Sequence, residues 1–231
     1  LSDDTSPRVV ELAPDGRRLA AWGATLIADS HMLATSGDRL LIVDRDAHEV
    51  VITTRNGERL MGLGTRHQPL HPFNHPTDVA VAPSGDIYVT DGYAGHRVHR
   101  FSADGRLLQS WGELGAGPGQ FVNPHAVWVV RDGRVVVVDR ENDRLQVFTP
   151  DGALLAIWTG FRKPLDVWGD ASDTLYVTDL VPTLTRLAPD GTVTGRCRPV
   201  LNGAHGIWGD AAGHIFLAEP NPSRITRLVP L

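Results

Sequence analysis

One pattern recurs along the chain: an apolar strand, a Gly/Asp turn, an apolar strand ending in Asp, a third strand, a Pro/Ala-Asp-Gly turn, and a fourth strand ending near Trp. The clearest copy is TDVAVAPSGDIYVTDGYAGHRVHRFSADGRLLQSWG over 77–112. HAVWVVRDGRVVVVDRENDRLQVFTPDGALLAIW (125–158), LDVWGDASDTLYVTDLVPTLTRLAPDGTVTGRC (165–197) and HGIWGDAAGHIFLAEPNPSRITRLVP (205–230) follow. An earlier, more divergent copy, HMLATSGDRLLIVDRDAHEVVITTRNGERLMGLG, covers 31–64. Equivalent first positions lie 46, 48, 40 and 40 residues apart. Four short β-branched strands per repeat, closed by Asp-Gly or Ser-Gly turns, are the signature of a β-propeller blade. A single blade cannot bury both faces of its sheet, so neighbours must stack around an axis.

The two ends set the expected number of blades. PRVVELAPDGRRLAAWG (7–23) matches only the third and fourth strands of a unit, and the last copy stops after a third strand, RITRLVP (224–230). The expected fold is therefore an all-β, six-bladed propeller forming one domain. Residues 7–23 make a partial first blade without its two inner strands, and 24–64, 77–112, 125–158, 165–197 and 205–230 make the others. A five-bladed ring, closed by the N-terminal strands on the last blade, is the second reading.

Composition narrows the function. The 24 glycines and 16 prolines suit a fold with many turns. A net charge of −5, with no basic run interleaved with aromatics, argues against a nucleic-acid or anionic-membrane partner. No stretch approaches the length of a membrane-spanning helix, and a monomer is expected. Cys197 is the only cysteine, so the chain has no internal disulfide or thiolate metal cluster. Lys163 is the only lysine, an arginine bias expected of a GC-rich bacterial genome. No signal peptide is visible and the first residue is Leu1, so the compartment stays open, secreted or periplasmic included.

Repeat phase also predicts a site. In a zigzag blade, the start of the innermost strand and the end of the second strand share one face and surround the channel mouth. The innermost strands start at His31, Thr77, His125, Leu165 and His205, so histidine occupies every other blade. In a six-bladed ring alternate blades are about 120° apart, which brings three imidazoles to the axis. Three neutral histidines with an open fourth position form a zinc site of the catalytic kind. His71 and His75, in a Pro-rich linker, and His48, His96, His99 and His214, in loops or outer strands, are read as having no part in it. At the ends of the second strands Asp recurs in four of five blades (Asp44, Asp91, Asp139, Asp179), which points to capping of a turn through backbone N–H groups. Tyr93, Arg45 and Arg140 are not explained by the repeat. A tyrosine can act as a general base beside a cation, and an arginine can hold a carboxylate by two hydrogen bonds. Arg45 and Thr77 are the expected substrate-binding residues.

PTDVAV, the DGY turn, the WGE…PGQF loop, the PH pair at 124–125 and DREN (139–142) occur in this order. The set resembles NHL-repeat propellers, and within them the peptidyl-α-hydroxyglycine α-amidating lyases. The resemblance covers roughly 24–231 and is sharpest over 73–147. It implies zinc held by His31, His125 and His205, with Tyr93 taking the hydroxyl proton of a C-terminal α-hydroxyglycine. Arg140 would steady the developing charge or the carboxylate, and the products would be an amide and glyoxylate. The expected partner is thus a small molecule or peptide with a C-terminal carboxylate. The sequence departs from the family in four places. His31 sits in Asp29-Ser30-His31-Met32 rather than Pro-His-Gly. Gly206 stands where the family has a calcium-binding Asp, which makes calcium doubtful. The family disulfides are absent, and a second family arginine belongs to the inner strands that this chain lacks. Two other readings are a noncatalytic propeller that binds peptide or protein, and a gluconolactonase-type hydrolase. The latter uses Glu, Asn and Asp around a divalent metal, where this chain has histidines.

Overall fold

The computed structural model describes residues 7–200 and 202–230. A hairpin of β1 (Val9–Leu12) and β2 (Arg18–Trp22) comes first. The first blade follows: β3 (Ser30–Ser36), β4 (Arg39–Asp44), β5 (Glu49–Thr54) and β6 (Arg59–Leu63). The second comprises β7 (Asp78–Val81), β8 (Ile87–Asp91), β9 (Arg97–Phe101) and β10 (Leu107–Trp111). The third comprises β11 (Pro124–Val129), β12 (Val135–Asp139), β13 (Arg144–Phe148) and β14 (Leu154–Thr159), with a 3-10 turn at Arg140–Asn142. The fourth comprises β15 (Pro164–Gly169), β16 (Leu175–Asp179), β17 (Thr183–Leu187) and β18 (Val193–Cys197). The fifth has three strands, β19 (Gly206–Gly209), β20 (Ile215–Glu219) and β21 (Arg224–Leu228). Within every blade the strands pair antiparallel in chain order.

The second, third and fourth sheets are each sandwiched between two neighbours, so their inner strands bury both faces. This is why β12 reads as a continuous apolar run, Val135–Val138, rather than an alternating one. Separate apolar clusters fill the interfaces between successive sheets, such as Val43, Ile52, Val79 and Val89 between the first two.

A second lock repeats around the ring. The Trp at the end of the hairpin or of a fourth strand lies against the turn glycine of the next blade. A Cβ on Gly57 would sit 2.7 Å from Trp22, on Gly152 2.8 Å from Trp111, and on Gly191 2.2 Å from Trp158. Gly191 also has φ +88°, a region that disfavours L side chains. Gly191→Ala is therefore expected to cost about 2–3 kcal/mol and to lower Tm by roughly 4–12 °C. Thermal unfolding checks this, and an unchanged Tm would contradict the lock.

The blade count differs from the expected six: the described residues make five blades. The reason lies in the hairpin. Among the described residues β1 and β2 pair only with each other, from Val9↔Trp22 to Leu12↔Arg18, and no described strand supplies an inner pair to extend them. Val9 and Trp22 instead pack on Ile27, Leu40 and Ile42 of the first blade. Nor does the hairpin complete the fifth sheet. A bond from Arg227 Nη1 to the Pro14 carbonyl (3.2 Å) ties its turn to β21 without strand pairing. The inner strands β3, β7, β11, β15 and β19 touch in succession, but β19 makes no comparable contact with β3. Among the described residues the fifth and first blades are therefore not packed inner strand to inner strand.

Candidate metal centre

The recurrent aspartates set the site's geometry. Asp44 accepts backbone N–H bonds from Ala28 and Asp29 (both 2.9 Å). Asp91 accepts from Asn74 (2.8 Å), Asp139 from Val122 (3.1 Å) and Asp179 from Arg162 (3.0 Å). In each case a clamped N–H lies three residues ahead of the axial position: Ala28 before His31, Asn74 before Thr77, Val122 before His125, and Arg162 before Leu165. The carboxylate thus fixes how the chain enters each inner strand, and with it where the axial side chain points.

His31, His125 and His205 meet at one channel mouth, with one ligand atom from each lying within 4.8 Å of the others. Their ring centroids are 5.2, 4.9 and 4.9 Å apart, close to an equilateral triangle. His31 Nδ1 lies 2.6 Å from the Thr77 carbonyl and His125 Nδ1 2.6 Å from the Leu165 carbonyl. A carbonyl only accepts, so both Nδ1 atoms carry the proton and both Nε2 lone pairs face the axis. Backbone carbonyls that orient ligating histidines in this way are a regular feature of metal sites.

The electrostatics agree. Burial holds His31 down to about 4, helped by the Arg45 and Arg140 guanidiniums. Burial, with His31 and the same two arginines, holds His205 at about 4. Burial and the other two imidazoles push His125 well below the usual histidine range. All three are neutral at pH 7, the form that binds a metal. The donor set fits a divalent cation with an open position.

Tyr93, on the loop after β8, places its hydroxyl 3.0 Å from His31 Nε2 and 3.3 Å from His125 Nε2. One hydroxyl hydrogen cannot serve both nitrogens, so a lone pair is left facing the shared point. The Arg45 guanidinium lies 5.5 Å from the Tyr93 ring centroid, while its nitrogens bond Asp29 (2.6 Å) and Asp46 (2.9 Å). Arg140, in the turn after β12, bonds Glu141 (3.0 Å). A cavity of about 670 Å3 opens over the mouth, lined in part by His31, Arg45, His205 and Arg224.

Thr77 does not sit where a substrate would touch it. Its side chain is buried and its hydroxyl donates to the Pro124 carbonyl at 2.7 Å. Its contribution to the site is its own carbonyl, which orients His31. His71 bonds the Pro69 carbonyl and His75 packs on His48, both outside the trio.

Two residues escape the sequence reading. Asp78 and Asp166 line the channel one position after Thr77 and Leu165, in the blades that lack an axial histidine. Asp78 accepts from Val127 N (2.9 Å), and Asp166 from Val167 N (2.7 Å) and Ile207 N (2.8 Å). The signal was present, since the same repeat phase read one residue further gives Met32, Asp78, Ala126, Asp166 and Gly206. Burial raises Asp166 to about 7, and burial with the nearby Asp166 carboxylate raises Asp78 well above the ordinary range. A carboxyl raised in the folded state favours folding in its protonated form. The stability it contributes is full below about pH 3.8 and is lost as pH rises towards about 7. Asp166→Asn is expected to make the fall in urea midpoint between pH 5 and pH 8 shallower. Equal falls in variant and wild type would contradict this.

Comparisons with known proteins agree with the repeat reading. The NHL repeat model matches residues 73–101 and 121–148, which span the first three strands of the second and third blades. This chain carries NHL repeats. Human NHL repeat-containing protein 3 is 32% identical over 203 residues, covering 81% of this chain and 54% of that protein. A probable peptidyl-α-hydroxyglycine α-amidating lyase of Caenorhabditis elegans is 36% identical over 140 residues, covering 55% of this chain and 39% of that protein. The NHL-repeat chain thus spans about half the length of these relatives, or less. Virginiamycin B lyase of Staphylococcus aureus shares the fold at a TM-score of 0.72 with 18% identity, over 99% of this chain and 83% of that one.

Proposed function

We propose that this NHL-repeat propeller is a zinc-dependent lyase. In this reading it cleaves a C-terminal α-hydroxyglycine, or a similar α-hydroxy amide, to an amide and glyoxylate. The observation that carries the reading is the Tyr93 hydroxyl, in contact with two imidazole nitrogens whose partner nitrogens are held by backbone carbonyls. The trio would hold the zinc, which when bound supplies a positive charge beside the substrate hydroxyl. In this reading Tyr93 Oη would take the hydroxyl proton. The C–N bond then breaks, the carbinol oxygen becomes the carbonyl of glyoxylate, and the proton passes to the amide nitrogen. One O–H and one C–N bond are lost, and one C=O bond and one N–H are gained. Arg45 and Arg140, both close enough to depress His31 and His205, would hold the carboxylate that persists from substrate to product. The lyase relative supports this chemistry by its name. Release of glyoxylate by zinc-loaded protein from an α-hydroxyglycyl substrate is the test, and no release would sink the reading.

One observation favours a noncatalytic platform for peptide or protein. Human NHL repeat-containing protein 3, whose name states no reaction, matches 81% of the chain against 55% for the lyase. A platform needs no metal, so stoichiometric zinc separates the two readings.

A further inference from the structure

In each of the first four blades the loop after the second strand is tied to the chain leading into the inner strand. The Arg45 amide donates to the Asp29 carbonyl (3.0 Å), Arg140 to Asn123 (2.9 Å) and Leu180 to Lys163 (2.9 Å). Each acceptor lies two residues ahead of the axial position. In the second blade the donor is Tyr93, one residue later in its loop, and its bond to the His75 carbonyl is the longest of the four, 3.4 Å. A long bond holds the Tyr93 backbone no more firmly than His75 is itself held.

His75 is held from the preceding blade. Its N–H donates to His48 Nδ1 at 3.1 Å, and the two rings meet edge to face with centroids 4.4 Å apart. His48 is buried, has φ +57° and stands just before the third strand of its blade. The same link joins the third and fourth blades, where Asp143, just before β13 and with φ +54°, accepts from the Lys163 N–H at 2.6 Å. Between the second and third blades that place belongs to His96, φ +58°, whose Nδ1 lies 2.7 Å from the Val122 carbonyl. The two histidines therefore need opposite tautomers: Nδ1 of His96 carries a proton, and Nδ1 of His48 must be bare.

We infer that His48 is a positioning residue for Tyr93, holding the His75 backbone through its bare Nδ1 so that the His75 carbonyl holds the Tyr93 amide. Its effect on turnover rests on the lyase reading; the link itself does not. The link is also sensitive to pH. Neutral His48 takes a second proton at Nδ1, which sets two donors face to face. Burial lowers His48 from its ordinary 6.5, with His75 and His67 of the linker acting the same way, while Asp91 at the end of β8 and Asp46 in its own turn act against them. The link holds at neutral pH and is lost as pH falls through the lowered value.

Two variants separate the acceptor from the fold. His48→Gly accepts the positive φ and removes the acceptor. His48→Asn also tolerates this region and supplies an oxygen of the reach by which Asp143 Oδ1 holds Lys163. With zinc content matched, His48→Gly is expected to lower kcat for glyoxylate release from an α-hydroxyglycyl substrate about 10–100-fold. KM should stay within about threefold, and so should kcat of His48→Asn. Hydrogen exchange at the His75 amide, read by NMR, is expected to be at least ~10-fold faster in His48→Gly than in wild type or His48→Asn. Wild-type kcat is expected to fall between about pH 7 and pH 5 and that of His48→Asn to hold, a difference that ring packing would not give. This pH comparison keeps the test open should His48→Gly fail to fold. Equal His75 exchange in wild type and His48→Gly, or a kcat for His48→Asn as low as that of His48→Gly, would overturn the inference. Exchange that follows the acceptor, with no glyoxylate from any of the three proteins, would uphold the link and remove the lyase reading alone.

Discussion

His125→Ala is expected to lower zinc affinity by more than ~100-fold, enough to empty the site on dialysis. His125 is the most enclosed of the three imidazoles, wholly buried, with Nδ1 on the Leu165 carbonyl and Nε2 towards the axis. Alanine leaves two imidazoles and an unused carbonyl, one nitrogen short of the three that converge in the wild type. The measurement is metal content of wild type and variant purified alike. His214→Ala is the control, since His214 lies on the β19–β20 turn, bonded to Asp210 and far from the trio in the repeat. Zinc retained by His125→Ala, or lost equally from His214→Ala, would show that the metal sits elsewhere.

Tyr93→Phe is expected to lower kcat for glyoxylate release by about 10²–10⁴-fold, the usual contribution of a placed proton acceptor. KM should change little, because the residues assigned to the carboxylate are Arg45 and Arg140. Phenylalanine keeps the ring that packs edge-on to His31 (5.2 Å) and His125 (5.8 Å), so metal content should hold. Steady-state kinetics with matched zinc content isolates the hydroxyl. A variant that keeps kcat within about threefold of wild type would assign the proton to another group.

Much of this site is legible in the sequence because a propeller turns repeat phase into position. The aspartate at the end of each of the first four second strands clamps the chain three residues before the axial side chain. His31 and His125 therefore inherit their placement from Asp44 and Asp139. His205 follows from the repeat itself, although among the described residues Glu219 in its blade bonds Arg224 and Thr226 rather than a backbone N–H. The convergence does not depend on the blade count. Five blades still bring the trio to a near-equilateral triangle.

The blade count is less legible: residues 7–23 match the outer half of a repeat, a pattern that does not say what that half will pair with, and the described residues have the five blades of the second reading without its closure by the N-terminal strands. Thr77 was misplaced for a related reason. Repeat phase gives the position of a Cα but not whether its side chain turns into the core, and here the Pro124 carbonyl draws the hydroxyl inward. Asp78 and Asp166 lie one register step from the histidines and in the alternate repeats, so a row drawn through the histidines passes beside them.

The central claim is that His31, His125 and His205 share one metal ion. Zinc-edge X-ray absorption on protein reconstituted with one equivalent of zinc tests it most directly. The expected spectrum has three imidazole nitrogens at about 2.0–2.1 Å and a lighter fourth ligand. A shell of oxygens without imidazole scattering, from zinc bound loosely to surface carboxylates, would contradict it.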